Sequence, residues 1–146
     1  DLNQLYLQEA ALSQWDYRRE GFCWIDCHQE ERCIYAYERR AGQERLLVVL
    51  HFSDLQDQQY TVTVPNCVAL EPLLHTDWTC YHGTVEKNTE LLLAEPTEKG
   101  GQITLPLAPY SGMLFRVHTS SEKAMFAPYQ KAQNRRKSTA TSVRIG

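Results

Sequence analysis

Residues 33–52 read CIYAYERRAGQERLLVVLHF, and this stretch decides the fold. Residues 33–39 are rich in β-branched and aromatic side chains, which favour strands. Gly42 interrupts the pattern, and residues 45–52 then form an apolar run that is too short for a buried helix of ordinary length. Two strands around a glycine turn predict a hairpin whose second strand lies in the centre of a sheet.

Short strand patterns continue on both sides of this hairpin. Residues 22–27 (FCWIDC) show the two-residue period of a strand. In residues 60–64 (YTVTV), large or apolar side chains alternate strictly with Thr before Pro65. Four further segments have strand character and are separated by turn signals, namely residues 68–74, 90–94, 102–105 and 113–118. The turn signals include Glu95-Pro96, which we expect to lie between two strands. About eight short strands without alternating long helices predict an all-β, antiparallel β-sandwich.

The beginning of the chain has a different period. Leu2, Leu5, Tyr6 and Leu12 recur at three- and four-residue spacing, which predicts one short helix over residues 1–12. The chain opens at Asp1 without the basic start and apolar stretch of a signal peptide. We therefore expect a piece of a longer chain, with residues 1–19 as helix and linker and residues 20–118 as the sandwich.

Charge separates this body from a tail at the end of the chain. Residues 1–119 contain nine Lys and Arg against 17 Asp and Glu, a net charge of -8, whereas residues 120–146 contain six against one, a net charge of +5. The last segment has no apolar period, which predicts a disordered basic tail over residues 119–146. Its Arg135-Arg136-Lys137 cluster could contact phosphate, but a solvated tail explains the charge equally, and we expect no nucleic-acid partner.

The composition and motifs exclude several classes of protein. No apolar run approaches the roughly 20 residues of a membrane helix, so no membrane partner is expected. The cysteines form an odd set with irregular spacing, which predicts buried, reduced thiols and hence a cytoplasmic location. They are Cys23, Cys27, Cys33, Cys67 and Cys80. Two tight ligand pairs for zinc are lacking, and neither a metal nor another cofactor is expected. Without a Gly-x-Ser-x-Gly elbow or a phosphate-binding glycine loop, no catalytic residue is assigned.

Aromatic side chains are the remaining candidates for a binding role. Sugar rings pack their C–H faces on Trp and Tyr, whose polar ends stay free to bond hydroxyls. Trp24 lies in the middle of a predicted strand, so we expect it in the core. Trp78 and Tyr81 lie in the polar segment 75–84 (HTDWTCYHGT), which predicts that they are exposed and able to contact a glycan. Packing, or an interface with another domain, is the alternative for both residues.

Ordered sequence blocks resemble a known family. The first blocks are Asp1-Leu2-Asn3-x-Leu5-Tyr6, Trp15-Asp16-Tyr17 and Gly21-Phe22-x-Trp24-Ile25-Asp26. The later blocks are Thr76-Asp77 with Tyr81-x-Gly83, and Ile103-Thr104-Leu105-Pro106-Leu107-Ala108-Pro109-Tyr110. Together they extend to residue 118 and resemble the end of the catalytic barrel and the C-terminal domain of bacterial 1,4-α-glucan branching enzymes, in the α-amylase superfamily. His75 stands where that family usually has Asn, and His82 interrupts its usual Gly pair.

The resemblance implies a parent enzyme that transfers α-1,4-glucan segments to make α-1,6 branches in glycogen. The catalytic residues of that family lie on the barrel, N-terminal to this segment, so the fragment is expected to be inactive alone. Residues 1–19 would come from the end of the barrel, and the sandwich would support the barrel and contact α-glucan through Trp78 and Tyr81. Two alternatives remain, an autonomous carbohydrate-binding module and the C-terminal domain of another α-amylase-superfamily enzyme.

Overall fold

The computed structural model of the chain describes residues 1–14 and 19–119. The predicted basic tail therefore lies outside the described residues from residue 120 onward, as does part of the predicted linker. Helices α1 (Leu2–Gln8) and α2 (Ala10–Ser13) precede the strands, and short 3-10 turns occur at Arg19–Gly21, Glu30–Arg32 and Thr79–Tyr81. Neither helix has the length or the apolar character that crossing a membrane requires, within the part of the chain that is described.

Nine strands lie in the described ranges and form two antiparallel sheets. They are β1 (Phe22–Gln29), β2 (Ile34–Ala41), β3 (Glu44–His51), β4 (Asp57–Val64), β5 (Cys67–His75), β6 (Leu92–Leu93), β7 (Glu95–Thr97), β8 (Gly100–Leu107) and β9 (Ser111–Thr119). The larger sheet has the order β1-β2-β3-β9-β5-β6, and the smaller has the order β4-β8-β7. This arrangement confirms the predicted all-β, antiparallel sandwich.

The hairpin predicted from residues 33–52 is confirmed in its register. Tyr37 lies opposite Val48, and Ala41 lies opposite Glu44 beside the turn. Gly42 has a φ of 59°, the left-handed conformation that a tight turn requires and that glycine adopts without a steric penalty. Strand β3 pairs with β2 on one side and β9 on the other, so it is a central strand, as its unbroken apolar run predicts.

Two local predictions are wrong. Glu95-Pro96 belongs to strand β7 rather than to a turn. Strand β7 lies at the edge of the small sheet, so one of its sides has no neighbouring strand. Proline is tolerated there because its lack of an N–H costs no hydrogen bond on that open side. The helix predicted over residues 1–12 is broken at Glu9, whose backbone is extended with a ψ of 113°. The break turns the Glu9 carboxylate toward Arg116, with 2.6 Å between its Oε1 and Nη2.

The main core lies between the two sheets and follows the alternation of their strands. Side chains of β2, β3 and β9 point inward from the large sheet and meet those of β4 and β8. The core includes Ile34, Leu47, Val49, Phe115, Tyr60, Val62, Ile103 and Leu105. Tyr60 is fully buried, and its hydroxyl donates a hydrogen bond of 3.0 Å to Asp26 Oδ2. A bulge at residue 25 in β1 places Asp26 opposite the core residue Ala36, which explains how its carboxylate reaches inward.

One ion cluster is centred on a buried carboxylate. The side chain of Glu38 is completely buried and accepts hydrogen bonds from Arg40 Nε at 2.7 Å and Arg45 Nε at 3.0 Å. A further Arg45 nitrogen, Nη2, contacts the second Glu38 oxygen and donates to the Pro65 carbonyl at 2.7 Å. Because Pro65 follows β4 of the small sheet, Arg45 joins the two sheets.

A second, smaller cluster covers part of the outer face of the large sheet. Ala11 of α2 packs there on Ala41, Leu46 and Leu114, and Leu5 of α1 is half-buried beside them. Leu2 and Tyr6 of α1 remain exposed. The helical segment therefore lies on the outer face, and part of its apolar stripe is uncovered.

Candidate functional site

A cluster of partly exposed aromatic rings also lies on the outer face of the large sheet. We call it the aromatic face and define it as Phe22, Trp24, Tyr35, Tyr37 and Phe52. Ring centroids lie 4.9 Å apart for Phe22 and Tyr37, 5.9 Å apart for Trp24 and Tyr37, and 5.9 Å apart for Tyr35 and Phe52. These spacings are typical of interacting aromatic pairs. The rings hold one another in place and present a preformed apolar surface.

Trp24 is the central residue of this surface, and its predicted place in the core is wrong. Its side chain is 51% exposed. It faces outward because the alternation of β1 sends Ile25 to the core instead. An apolar row crosses the sheet from Trp24 through Tyr37, Val48 and Leu114 to Leu74, which are neighbours in the strand register. The aromatic face therefore continues toward the surface on which α2 packs.

Trp78, predicted to be exposed, is buried at 3% exposure. The loop after β5 folds around it, since the Trp78 carbonyl accepts hydrogen bonds from the Tyr81 N–H at 2.9 Å and the Gly83 N–H at 3.0 Å. A Cβ on Gly83 would lie 2.0 Å from the Asp77 carbonyl oxygen, so only glycine fits there. The backbone of Val85 then closes the loop by pairing beside Trp78. The polar residues around Trp78 therefore belong to a tight turn, and they do not indicate that the Trp78 ring is exposed.

Tyr81 is partly exposed, but it does not form a platform with Trp78. Its hydroxyl donates a hydrogen bond of 2.6 Å to Asp1 Oδ2. Tyr81 lines a shallow hollow of about 250 Å³ together with Leu2, Leu74 and Thr76, on the side of α1. Trp78 lines a different cleft, described below, and the two spaces meet at Leu74, which lines both.

The Trp78 cleft is a small apolar space of about 180 Å³. Trp78, Leu92, Leu105 and Phe115 form its walls. Its rim carries Glu86, Asn88 and Glu90, which belong to an exposed loop. The ammonium nitrogen of Lys87 lies 5.3 Å from the Trp78 ring centroid and covers the outer side of that ring.

His75 also lines this cleft and stabilises the backbone of the loop that follows β5. Its Nδ1 accepts a hydrogen bond of 3.0 Å from the Asp77 N–H, two residues further on. An asparagine side chain makes the same bond in an Asx-turn. Burial lowers the pKa of His75, so the ring is neutral and carries its proton on Nε2. His82 adopts a φ of 63°, a left-handed backbone conformation that residues other than glycine rarely take.

A polar clasp fixes the helical segment to the large sheet. We define the clasp as Glu9, Glu44, Glu71, Arg116 and His118. Arg116 contacts Glu9 at 2.6 Å and Glu71 at 3.1 Å, and His118 Nε2 lies 3.0 Å from Glu71. Burial, a hydrogen bond to Glu9 and repulsion from its charge raise the pKa of Glu44 to about 7. Burial opposes ionisation of Glu9, but hydrogen bonds to Glu44 and Arg116 hold its pKa below the ordinary value.

The clasp makes stability depend on pH. Because the pKa of Glu44 is about 7 in the folded chain against an ordinary 4.5, its contribution is complete below about pH 4.5 and is lost as pH rises through 7. Glu44→Gln keeps a donor for Glu9 and an acceptor for the Ala11 N–H without titrating. We expect the variant to gain stability relative to the natural chain between pH 5 and 8, by about 1 kcal/mol at pH 8, a value reduced for solvent screening.

Melting temperatures at pH 5 and pH 8 measure this effect. Glu95→Gln, which changes an exposed carboxylate on the edge strand β7, is the matched control and should show no pH-dependent difference. An identical melting difference for Glu44→Gln at both pH values would show that Glu9 and Glu44 do not share a proton.

The cysteines are only partly as predicted. Cys67 is buried, and burial raises its thiol pKa to about 11, whereas Cys80 is exposed and contradicts the predicted burial. Among the described residues, no group of three or more potential ligands is placed to hold a metal ion. No catalytic constellation was assigned from the sequence, and the aromatic face, the hollow and the cleft are candidate binding surfaces.

Comparison with known proteins identifies the fold family. Residues 24–118 match the family described as the α-amylase C-terminal all-β domain. The chain belongs to this family. As a member of the α-amylase C-terminal domain family, it is similar to the 1,4-alpha-glucan branching enzyme of Nitrosospira multiformis, with 35% identity over 82% of this chain and 16% of that enzyme. The corresponding enzyme of Nitrosomonas eutropha is 34% identical over 78% of this chain and 16% of its own length.

Solved structures include a similar region in isomaltulose synthase from Klebsiella sp. LX3. It has 22% identity and a TM-score of 0.45, covering 79% of this chain and 16% of that one. This α-amylase C-terminal domain thus spans about a sixth of the length of the curated relatives that it matches.

Proposed function

We propose that this chain is the C-terminal domain of a 1,4-α-glucan branching enzyme, which transfers α-1,4-glucan segments to make α-1,6 branches in glycogen. Its own role is to support the catalytic barrel of that enzyme, and alone it is inactive. The observation that carries this role is the aromatic face, because five partly exposed aromatic rings on one sheet surface are typical of a surface that another domain covers. The similarity to branching enzymes supports the catalytic barrel as that domain.

The position of the helical segment supports the same surface. Helices α1 and α2 lie on the outer face of the large sheet, beside the aromatic face. About five sixths of the length of the relatives lies outside the matched segment. In a C-terminal domain, the rest of the chain is connected to the domain's N-terminal end. The preceding chain would therefore arrive at α1, where Leu2 and Tyr6 are uncovered. Residues 1–19 would be the last segment of the barrel, residues 20–118 the sandwich, and residues 119–146 a separate tail.

Contact with α-glucan is the second element of the proposal. Tyr81 is accessible in its hollow, whereas Trp78 reaches solvent only through its cleft. The exposed rings of the aromatic face also favour the alternative of an autonomous carbohydrate-binding module, since they would stack on sugar rings if no barrel covered them. The described cysteines Cys23, Cys33, Cys67 and Cys80 are free thiols, which supports a cytoplasmic place of action.

A domain exchange tests the proposed function. The C-terminal segment of the Nitrosospira multiformis branching enzyme that aligns with this chain is replaced by residues 1–119 of this chain. We expect the exchanged enzyme to lower the iodine absorbance of amylose, as branching does, while the same enzyme truncated before the segment is inactive or aggregates. The 146-residue chain alone should leave amylose unchanged. An exchanged enzyme that folds but has no activity would contradict the proposal.

A further inference from the structure

The Trp78 cleft has the chemical make-up of a site for one small, neutral, hydroxyl-rich ring. Its walls are apolar and include the aromatic ring of Trp78. Its rim carries two carboxylates and an amide, in Glu86, Glu90 and Asn88. An apolar base beneath a ring of hydrogen-bonding groups is the usual composition of small-molecule sites.

The size of the cleft limits what it can hold. Its volume of about 180 Å³ corresponds to about six water molecules at roughly 30 Å³ each. A space of this size accommodates about one pyranose ring. A chain would therefore enter by one of its ends, with the remaining units outside the rim.

The charges of the rim select against ionic ligands. Glu86 and Glu90 repel phosphate groups and acidic peptides, and Lys87 is engaged over the Trp78 ring. A neutral hydroxyl can donate to either carboxylate, and hydrogen bonds to charged acceptors are stronger than neutral ones. Inside the cleft, neutral His75 accepts from Asp77 through Nδ1, so its Nε2–H is a donor.

The loop that carries the rim can give way to a ligand. Residues 86–90 are exposed and contain no helix or strand. Glu86 reaches the Thr79 hydroxyl at 3.5 Å, and the Glu90 N–H donates to Asn88 Oδ1 within the loop at 2.8 Å. Displacing Lys87 from the Trp78 ring uncovers the ring for stacking at little cost, because Lys87 is an exposed, flexible side chain.

We propose that the Trp78 cleft binds the terminal glucosyl unit of an α-glucan chain, with Trp78 stacking on the ring and Glu86 and Glu90 accepting its hydroxyls. The choice of α-glucan rests on the function proposed above. Residues of β5, β8 and β9 line the cleft, and none of the five rings of the aromatic face does, so glucan binding here is compatible with a barrel that covers that face.

Nuclear magnetic resonance of the ¹⁵N-labelled 146-residue chain with maltotriose tests the proposal. We expect saturable amide shifts in residues 75–78 and 86–92. Glu90→Ala should weaken binding about tenfold, because it removes one charged hydrogen-bond acceptor. Glu90 is exposed, so this variant should remain folded, as its spectrum would show. Glu98→Ala, an exposed carboxylate in the β7–β8 turn, is the matched control and should bind like the natural chain.

Two results would contradict the proposal that the Trp78 cleft binds α-glucan. One is the absence of saturable shifts with maltotriose up to about 50 mM, beyond the weak millimolar range of binding. The other is a set of shifts confined to Phe22, Trp24, Tyr35 and Tyr37 and unchanged by Glu90→Ala, which would place the ligand on the aromatic face. The domain exchange separates this proposal from the proposed function. If the exchanged enzyme is active but the cleft binds no maltotriose, only the cleft proposal is contradicted. If the cleft binds maltotriose but the folded exchanged enzyme is inactive, the proposed branching role is contradicted.

Discussion

Glu38→Ala is expected to lower the free energy of unfolding by about 3–5 kcal/mol. The Glu38 side chain is fully buried between Arg40 and Arg45, and the Arg45 side chain is only 11% exposed. Removing the carboxylate leaves the buried Arg45 guanidinium without an opposite charge beside it. It also creates a cavity where the Glu38 side chain of strand β2 was packed. Urea unfolding of the natural chain and the variant, followed by circular dichroism, measures the difference.

The double variant Glu38→Met with Arg45→Met is the informative control. It removes the charges of Glu38 and Arg45 and fills the space with apolar side chains. Because the Arg40 side chain is 36% exposed and can turn to water, the ion-pair argument predicts a change within about 1 kcal/mol of the natural chain. Arg45 also donates to the Pro65 carbonyl, and losing that hydrogen bond sets the remaining cost. A loss below about 1 kcal/mol for Glu38→Ala itself would show that the cluster is open to water.

Trp24→Glu is expected to reduce the branching activity of the exchanged enzyme at least tenfold. In that enzyme the aromatic face would be covered by the barrel, and a carboxylate in place of Trp24 would have to be buried without a partner. Aromatic residues at the centre of interfaces commonly contribute the largest share of the binding energy. Activity and thermal inactivation of the exchanged enzyme, with and without the substitution, measure the effect.

The free 146-residue chain should respond quite differently to Trp24→Glu. Trp24 is half exposed there, so the loss is limited to its ring contacts with Phe22, Tyr35 and Tyr37, about 1 kcal/mol. Thr61→Glu is the control, because Thr61 is exposed on the opposite, small sheet and should leave the exchanged enzyme active. Equal loss of activity for both variants would indicate a general effect of charge rather than an interface at the aromatic face.

The architecture of the sandwich could be predicted because it depends on local patterns. The period-2 alternation of residues 60–64 assigns alternate side chains to the two faces of a strand, and the hairpin around Gly42 pairs two neighbouring strands. Neither pattern depends on residues that are distant in the sequence. Strand β7 escaped prediction because Pro96 usually excludes a strand, and only its place at a sheet edge makes it acceptable. The break at Glu9 depends on Arg116, which is far away in the sequence.

The binding surfaces were harder to predict, since alternation does not show which side of a strand faces the core. In β1 and β2 both faces carry large apolar residues, so Trp24 could be assigned to either face from the sequence. The repeated aromatics at residues 22, 24, 35 and 37 were the available signal for an aromatic face on one side. Trp78 was misplaced because its burial depends on the turn at Gly83 and the returning backbone of Val85.

The branching activity of the exchanged enzyme is the most direct test of the central claim that this domain supports a branching-enzyme barrel. We predict that the enzyme carrying residues 1–119 retains at least a tenth of the activity of the intact Nitrosospira multiformis enzyme, as judged by the fall in amylose–iodine absorbance. The truncated enzyme should retain none. Equal activity with and without the domain, or a folded exchanged enzyme without activity, would contradict the claim.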